Sequence, residues 1–214
     1  MLISVDFPAP FSPINDDPQY RKWMGTVQDG TPDGAKLHSI LVDPRDPLHM
    51  YVSMSSGGTF ESLDGGADWH PLNQGVRADF QPNPDLEFGH DPHCVRFAAG
   101  NPDRLYQQNH CGVYRSDNCG EDWIDIGEGR LPSRFGFPVA VHPTDPNILF
   151  TGLQDNGTAR TPGGPMWTHV NYGDGGYCVV NWNNPKKVLS FVNGRVFRST
   201  TGGATHNDWV EAWN

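Results

Sequence analysis

Apolar residues in this chain come in short runs, broken at regular places by glycine, proline, asparagine and aspartate. HSILV, MYVSM and TFES follow from His38, HCVRF, LYQQN and VYRS from His93, PVAV and ILFTGL from Pro138, and YCVV, VLSF and RVFRS from Tyr177. Short runs rich in apolar, β-branched and aromatic side chains suit a pleated surface, and the residues between them suit tight reversals. Alanine–leucine–glutamate runs are absent, so few helices are expected.

The same order of elements recurs four times: apolar strand, Asn/Asp-Pro turn, apolar strand, Gly turn, strand, Gly-rich turn, Trp strand. The units begin at His38, His93, Pro138 and Tyr177. Their tryptophans, Trp69, Trp123, Trp167 and Trp209, lie roughly 54, 44 and 42 residues apart, within the range of a four-stranded propeller blade. The pattern predicts an all-β chain: a β-propeller of about four blades over residues 38–214, either a compact four-bladed ring or an incomplete propeller. A β-sandwich has no reason to repeat one turn chemistry once per unit. Residues 1–37 form a separate N-terminal segment, in which Tyr20 to Val27 reads as an outer strand.

The third turn of each unit is the most specific. Ser62-Leu63-Asp64-Gly65-Gly66-Ala67-Asp68-Trp69 resembles the Asp box of sialidase-like and sortilin-like (BNR) propellers. In such a turn the carboxylate accepts backbone N–H groups, glycines permit positive φ and the Trp packs between blades. Asn118 replaces the Asp in the second unit and Thr201 in the fourth, which also carries an insertion; those turns are expected to hold less tightly. The stretches LHSILVDPRDP, GHDPHCV, LYQQNHCGVYRSD and FGFPVAVHP resemble bacterial BNR-repeat proteins described as glycosyl-hydrolase-like or exo-sialidase-like. GLQDNGTAR and GDGGYCVV are closer to sortilin- or xyloglucanase-type repeats. The resemblance implies a glycosidase-like superfamily fold and leaves the substrate open.

Composition narrows the partners. The 214 residues carry a net charge of −10, which disfavours a nucleic-acid partner, since phosphate binding needs a basic surface. No apolar run reaches the roughly 20 residues of a membrane span, and Met1 to Phe11 lacks the form of an export signal, so a soluble, cytoplasmic protein is expected. Four cysteines, at 94, 111, 119 and 178, lack zinc-ribbon or C-x-x-C spacing and read as free thiols.

With the strands of a blade lettered a to d outward from the axis, the Gly-rich turns and the Asn/Asp-Pro turns share one side of a propeller. The d–a loops and b–c turns share the other, where binding residues usually sit. That side holds His38, Glu87, His90, Asp91, His93, Asn109, His110, Arg134, Gln154, Asp155, Asp174 and Tyr177. Gly89-His90-Asp91-Pro92-His93-Cys94 aligns with Gly173-Asp174-Gly175-Gly176-Tyr177-Cys178, so two loops deliver a polar group at equivalent places. His38, His93 and Tyr177 can equally close the channel mouth by hydrogen bonds, and Asp155-Asn156-Gly157 suits a tight turn.

Three chemistries fit this face. The first is binding of a glycan or polypeptide through His38, His90, His93, Asn109, His110, Arg134, Gln154 and Tyr177, with Phe80, Phe88, Phe135 and Phe137 as apolar contacts. The second is glycoside hydrolysis, which needs two carboxyl groups; Glu87, Asp91, Asp155 and Asp174 are the candidates. Sialidase chemistry by resemblance would need three clustered arginines, and only Arg134 and Arg77 fall on this side. The third is a divalent metal held by His90, His93 and His110, with Glu87 close by. No other cofactor is expected. A surplus N-terminal strand suggests a homodimer, in which two chains close one eight-bladed ring.

Overall fold

The computed structural model describes residues 36–212 apart from Ser56, Gly164 and Pro165. The N-terminal strand expected at Tyr20 to Val27 lies outside the described residues. Within them, four sheets of four antiparallel strands follow one another along the chain. The first is built from β1 (Leu37–Asp43), β2 (Asp46–Met54), β3 (Gly58–Ser62) and β4 (His70–Pro71). The second has β5 (Pro92–Ala98), β6 (Asn101–Asn109), β7 (Gly112–Ser116) and β8 (Ile124–Asp125). Next come β9 (Gly136–Val141), β10 (Leu149–Leu153), β11 (Gly157–Arg160) and β12 (Thr168–Asn171). The last holds β13 (Gly175–Val180), β14 (Val188–Val192), β15 (Arg195–Ser199) and β16 (Val210–Glu211). These are propeller blades, at the positions that the repeat predicts.

The blades pack in a row, β1 against β5, β5 against β9 and β9 against β13. Strands lying between two neighbours are buried on both faces and so lose the usual alternation: Leu105–Asn109 of β6 and all of β10 are buried. On the fourth blade alternation returns, with Val188, Ser190 and Val192 inside and Leu189 and Phe191 exposed. Ile40 and Val42 of β1 and Tyr177 and Val179 of β13 are exposed as well.

Each interface combines an apolar cluster with a buried polar pair. Tyr51, Val76, Val95, Leu105, Tyr114 and Trp123 fill the space between blades one and two, where Thr59 Oγ1 donates to Gln107 Oε1 at 2.9 Å. Cys94, Tyr106, Val139, Leu149 and Leu153 join blades two and three, with Thr151 Oγ1 donating to Gln108 Oε1 at 2.6 Å. Phe150, Val170, Cys178 and Val188 join three and four, where Thr158 and Ser190 share a hydrogen bond of 2.6 Å. Blades three and four touch backbone to backbone: a Cβ on Gly152 would lie 1.8 Å from the Gly176 carbonyl oxygen.

The Gly-rich turns close by a serine rather than by the aspartate alone. Ser62 Oγ accepts from the Gly66 N–H at 2.8 Å and donates to Asp64 Oδ1. Asp64 Oδ1 in turn accepts from the N–H groups of Ala67 and Asp68. Gly120 and Gly203 donate to Ser116 and Ser199 in the same way, at 2.8 and 2.9 Å. Asn118 Oδ1 accepts from Ser116 Oγ and the Asp122 N–H as Asp64 does. The turns with Asn118 and Thr201 therefore keep the same closing bond from glycine N–H to serine Oγ. Trp123 and Trp167 reach back to the preceding blade, donating Nε1–H to the carbonyls of Leu72 and Ile126.

Candidate functional site

The loop entering the second blade is set by local chemistry. Gly89 adopts φ 97°, a conformation that other residues rarely tolerate, and its N–H bonds the Gly57 carbonyl of the first blade. Pro92 opens β5, where a missing N–H costs nothing. Asp91 and His93 are two residues apart on extended backbone and so share a face. Pairing of Pro92 with Asn109 and a bond from the His110 N–H to the Asp91 carbonyl bring the β6–β7 turn alongside.

Asp91, His93 and His110 thus converge. His93 Nε2 and His110 Nδ1 each lie 3.2 Å from Asp91 Oδ2, and the three donor atoms are all within 4.8 Å of one another. The His93 Nδ1–H donates to the Gly136 carbonyl at 2.5 Å. Asp91 Oδ1 is buried without a hydrogen-bond partner of good geometry. Burial opposes ionisation of Asp91, but hydrogen bonds from His110 and His93 and the charge of His93 outweigh it and hold the carboxyl well below the usual carboxylate range. Ser55 adds a small effect of the same sign. Burial likewise disfavours charge on His93, yet Asp91 and the Gly136 carbonyl raise its pKa.

Aromatic rings surround this cluster. Phe137 stacks on His93 at 5.6 Å, and Phe135 meets His93 edge-on at 5.3 Å and His110 at 4.5 Å. Phe80 lies 5.1 Å from His110. His38 packs against His93 at 5.8 Å and bonds Ser55 Oγ at 2.6 Å; burial, then the charge of His93, lower its pKa. Phe80 and Phe137 are each about two-fifths exposed, so the cluster opens to solvent between them.

The other expected residues do different work. His90 is fully buried, with Nε2 on the Leu86 carbonyl at 2.7 Å; three residues from His93, it falls on the opposite face of the extended chain, and Asp91 takes its place in the cluster. Asn109 is buried and accepts the Cys111 N–H. Arg134 is tied to the Cys111 carbonyl and to Asp125, and Arg77 to Asp79. Asp174 Oδ1 accepts the Asp155 N–H, and the Asp174 N–H donates to Asn193 Oδ1, so Asp174 links turns of blades three and four. Gln154 and Tyr177 are exposed. Glu87 lines a cleft of about 390 Å³ with Asn73, Gln74 and Asp85. The two-residue spacing of Asp91 and His93 is the signal in the sequence that could have placed Asp91 in the cluster.

No family model matches the chain, and no curated protein matches it. Solved structures do. A GH74 enzyme from Niastella koreensis is 16% identical, covers 80% of this chain and 28% of its own, and superposes with a TM-score of 0.62. A GH74 xyloglucanase from Xanthomonas campestris is 19% identical over 81% of this chain and 29% of its own, with a TM-score of 0.60. YCF48 from Cyanidioschyzon merolae is 17% identical over 85% of this chain and 57% of its own, with a TM-score of 0.57. The chain thus spans between about a quarter and somewhat over half of these proteins, and the likeness is one of β-propeller fold. No helix among the described residues is long and apolar enough to cross a membrane.

Proposed function

We propose that this chain supplies binding blades of an Asp-box β-propeller and that its d–a/b–c face holds a glycan. The carrying observation is the ring of Phe80, Phe135 and Phe137 around the Asp91–His93–His110 cluster. Sugars present C–H faces that stack on aromatic rings and hydroxyls that bond to carboxylate and imidazole. The serine-closed turns of three blades support the Asp-box assignment. Binding without hydrolysis is the reading we favour. A glycosidase needs one carboxyl that keeps its proton to donate, a role that does not suit Asp91, the one carboxylate of the cluster, held ionised between two histidines.

The test is a glycan array followed by calorimetry on the best hit. Phe135→Ala and Phe137→Ala should each weaken binding about tenfold or more, a loss of about 1.4 kcal/mol, with the fold intact by circular dichroism. Retained affinity in both variants, or binding of a peptide array with no glycan hit, overturns the glycan reading. Release of reducing ends from the bound glycan overturns binding without turnover.

A further inference from the structure

We infer that Asp91, His93 and His110 form a binding site for a first-row divalent transition ion, zinc(II) by donor set, with a coordination position left open to solvent. Zinc takes imidazole nitrogen and carboxylate oxygen at about 2.0–2.2 Å, which sets neighbouring donors of a tetrahedron about 3.3 Å apart. Asp91 Oδ2 lies 3.2 Å from His93 Nε2 and 3.2 Å from His110 Nδ1. The third edge, between the two imidazole nitrogens, is within 4.8 Å.

The hydrogen-bonding of His93 points the same way. With Nδ1 donating to the Gly136 carbonyl, Nε2 is turned toward the Asp91 carboxylate at 3.2 Å. In the protonated ring an N–H fills that gap, and a metal ion that displaces the proton would take the same place between nitrogen and oxygen. An imidazole whose far N–H is fixed on a backbone carbonyl is the arrangement that orients histidine ligands at metal sites. Access is from the side of His110, whose side chain is 43% exposed. Three protein donors and an open position match metal centres that take up an outside oxygen, from water or ligand.

This site lies on the face proposed to bind glycan and rests on that reading for its location alone. Tag-free protein stripped with a chelator is titrated with zinc sulfate by calorimetry, and the reloaded protein is dialysed and its zinc measured by elemental analysis. One zinc per chain is expected. Cobalt(II) should give the visible bands of a tetrahedral nitrogen–oxygen site. His110→Gln, the least embedded change, should lose more than the about 10–100-fold that removal of an orienting hydrogen bond costs. His93→Gln should abolish the cobalt spectrum, and His70→Gln, an exposed histidine on β4, should leave both readouts unchanged. Less than half an equivalent of zinc, or zinc affinity unaltered in both His110→Gln and His93→Gln with the variants folded, overturns the site. Zinc bound by protein that binds no glycan leaves the site standing while the glycan reading falls, and glycan bound by protein that takes no zinc does the reverse.

Discussion

Ser62→Ala should cost more than Asp64→Ala, although the aspartate accepts from two N–H groups of the turn. Ser62 is fully buried, and its Oγ is the acceptor for the buried N–H of Gly66. Deleting it strands that N–H where water cannot follow, a cost of about 1–3 kcal/mol, and removes the donor to Asp64 as well. Asp64 is exposed, and the N–H groups it accepts, from Ala67 and Asp68, are exposed too. Water replaces the carboxylate there, leaving a net loss of about 1 kcal/mol. At about 2–4 °C per kcal/mol for a domain of this size, and with about 2 kcal/mol, the middle of that range, for the serine, Ser62→Ala should lower the melting temperature by about 4–8 °C and Asp64→Ala by about 2–4 °C. Differential scanning calorimetry measures both, and urea titration with an unchanged slope confirms that stability moved. The double variant should fall short of the sum, because the two side chains bond each other. An Asp64→Ala loss equal to or larger than that of Ser62→Ala refutes the reasoning.

Gly152→Ala would set a Cβ against the Gly176 carbonyl; overpacking of this kind costs about 1–3 kcal/mol, and thermal unfolding should show the loss. Asp43 is buried, and hydrogen bonds from Arg45 hold its carboxyl below the ordinary value against the opposing effect of burial. A lowered folded-state pKa gives stability that is complete above the unfolded value, about 3.9, and is lost as pH falls through the folded one. The melting-temperature gap between wild type and Asp43→Asn should therefore hold from about pH 8 to 5 and shrink below about pH 4. A gap that is constant to pH 2.5 contradicts this.

The blades were legible because each repeats one sequence of turns, and turn chemistry is local: glycine, proline and a following tryptophan act within a few residues of themselves. His93 and His110 were legible as partners because strand pairing joins the start of β5 to the end of β6. The third member was harder. His90 shares the residue type of a ligand, but alternation along extended backbone turns it away, and Asp91, weighed as a catalytic acid, occupies the position between the imidazoles. Asp155, Asp174 and Arg134 are hard to sort for another reason. A charged loop residue has the same appearance in sequence whether it waits for a ligand or closes a turn, and here the Asp174 carboxylate accepts the Asp155 N–H while Arg134 is tied to Cys111 and Asp125. The exposed serine-closed turns hid the same distinction, since burial of Ser62 beside an exposed Asp64 depends on the blade behind them.

Packing in a row has a consequence for how the chain comes apart. In a row, an end blade has one neighbour and an inner blade has two, so stability adds up from each blade and the joints beside it, as in solenoid proteins. Among the described residues, opening the fourth blade breaks one joint, that of Phe150, Val170, Cys178 and Val188 with the Thr158–Ser190 bond. Opening the second breaks two. Among the described joints, local fluctuations should therefore reach blades two and three later than blades one and four. The Asp91–His93–His110 cluster is built on blade two, with rings lent by residues on either side of it, so the ends of the row can fray while these three side chains keep their spacing.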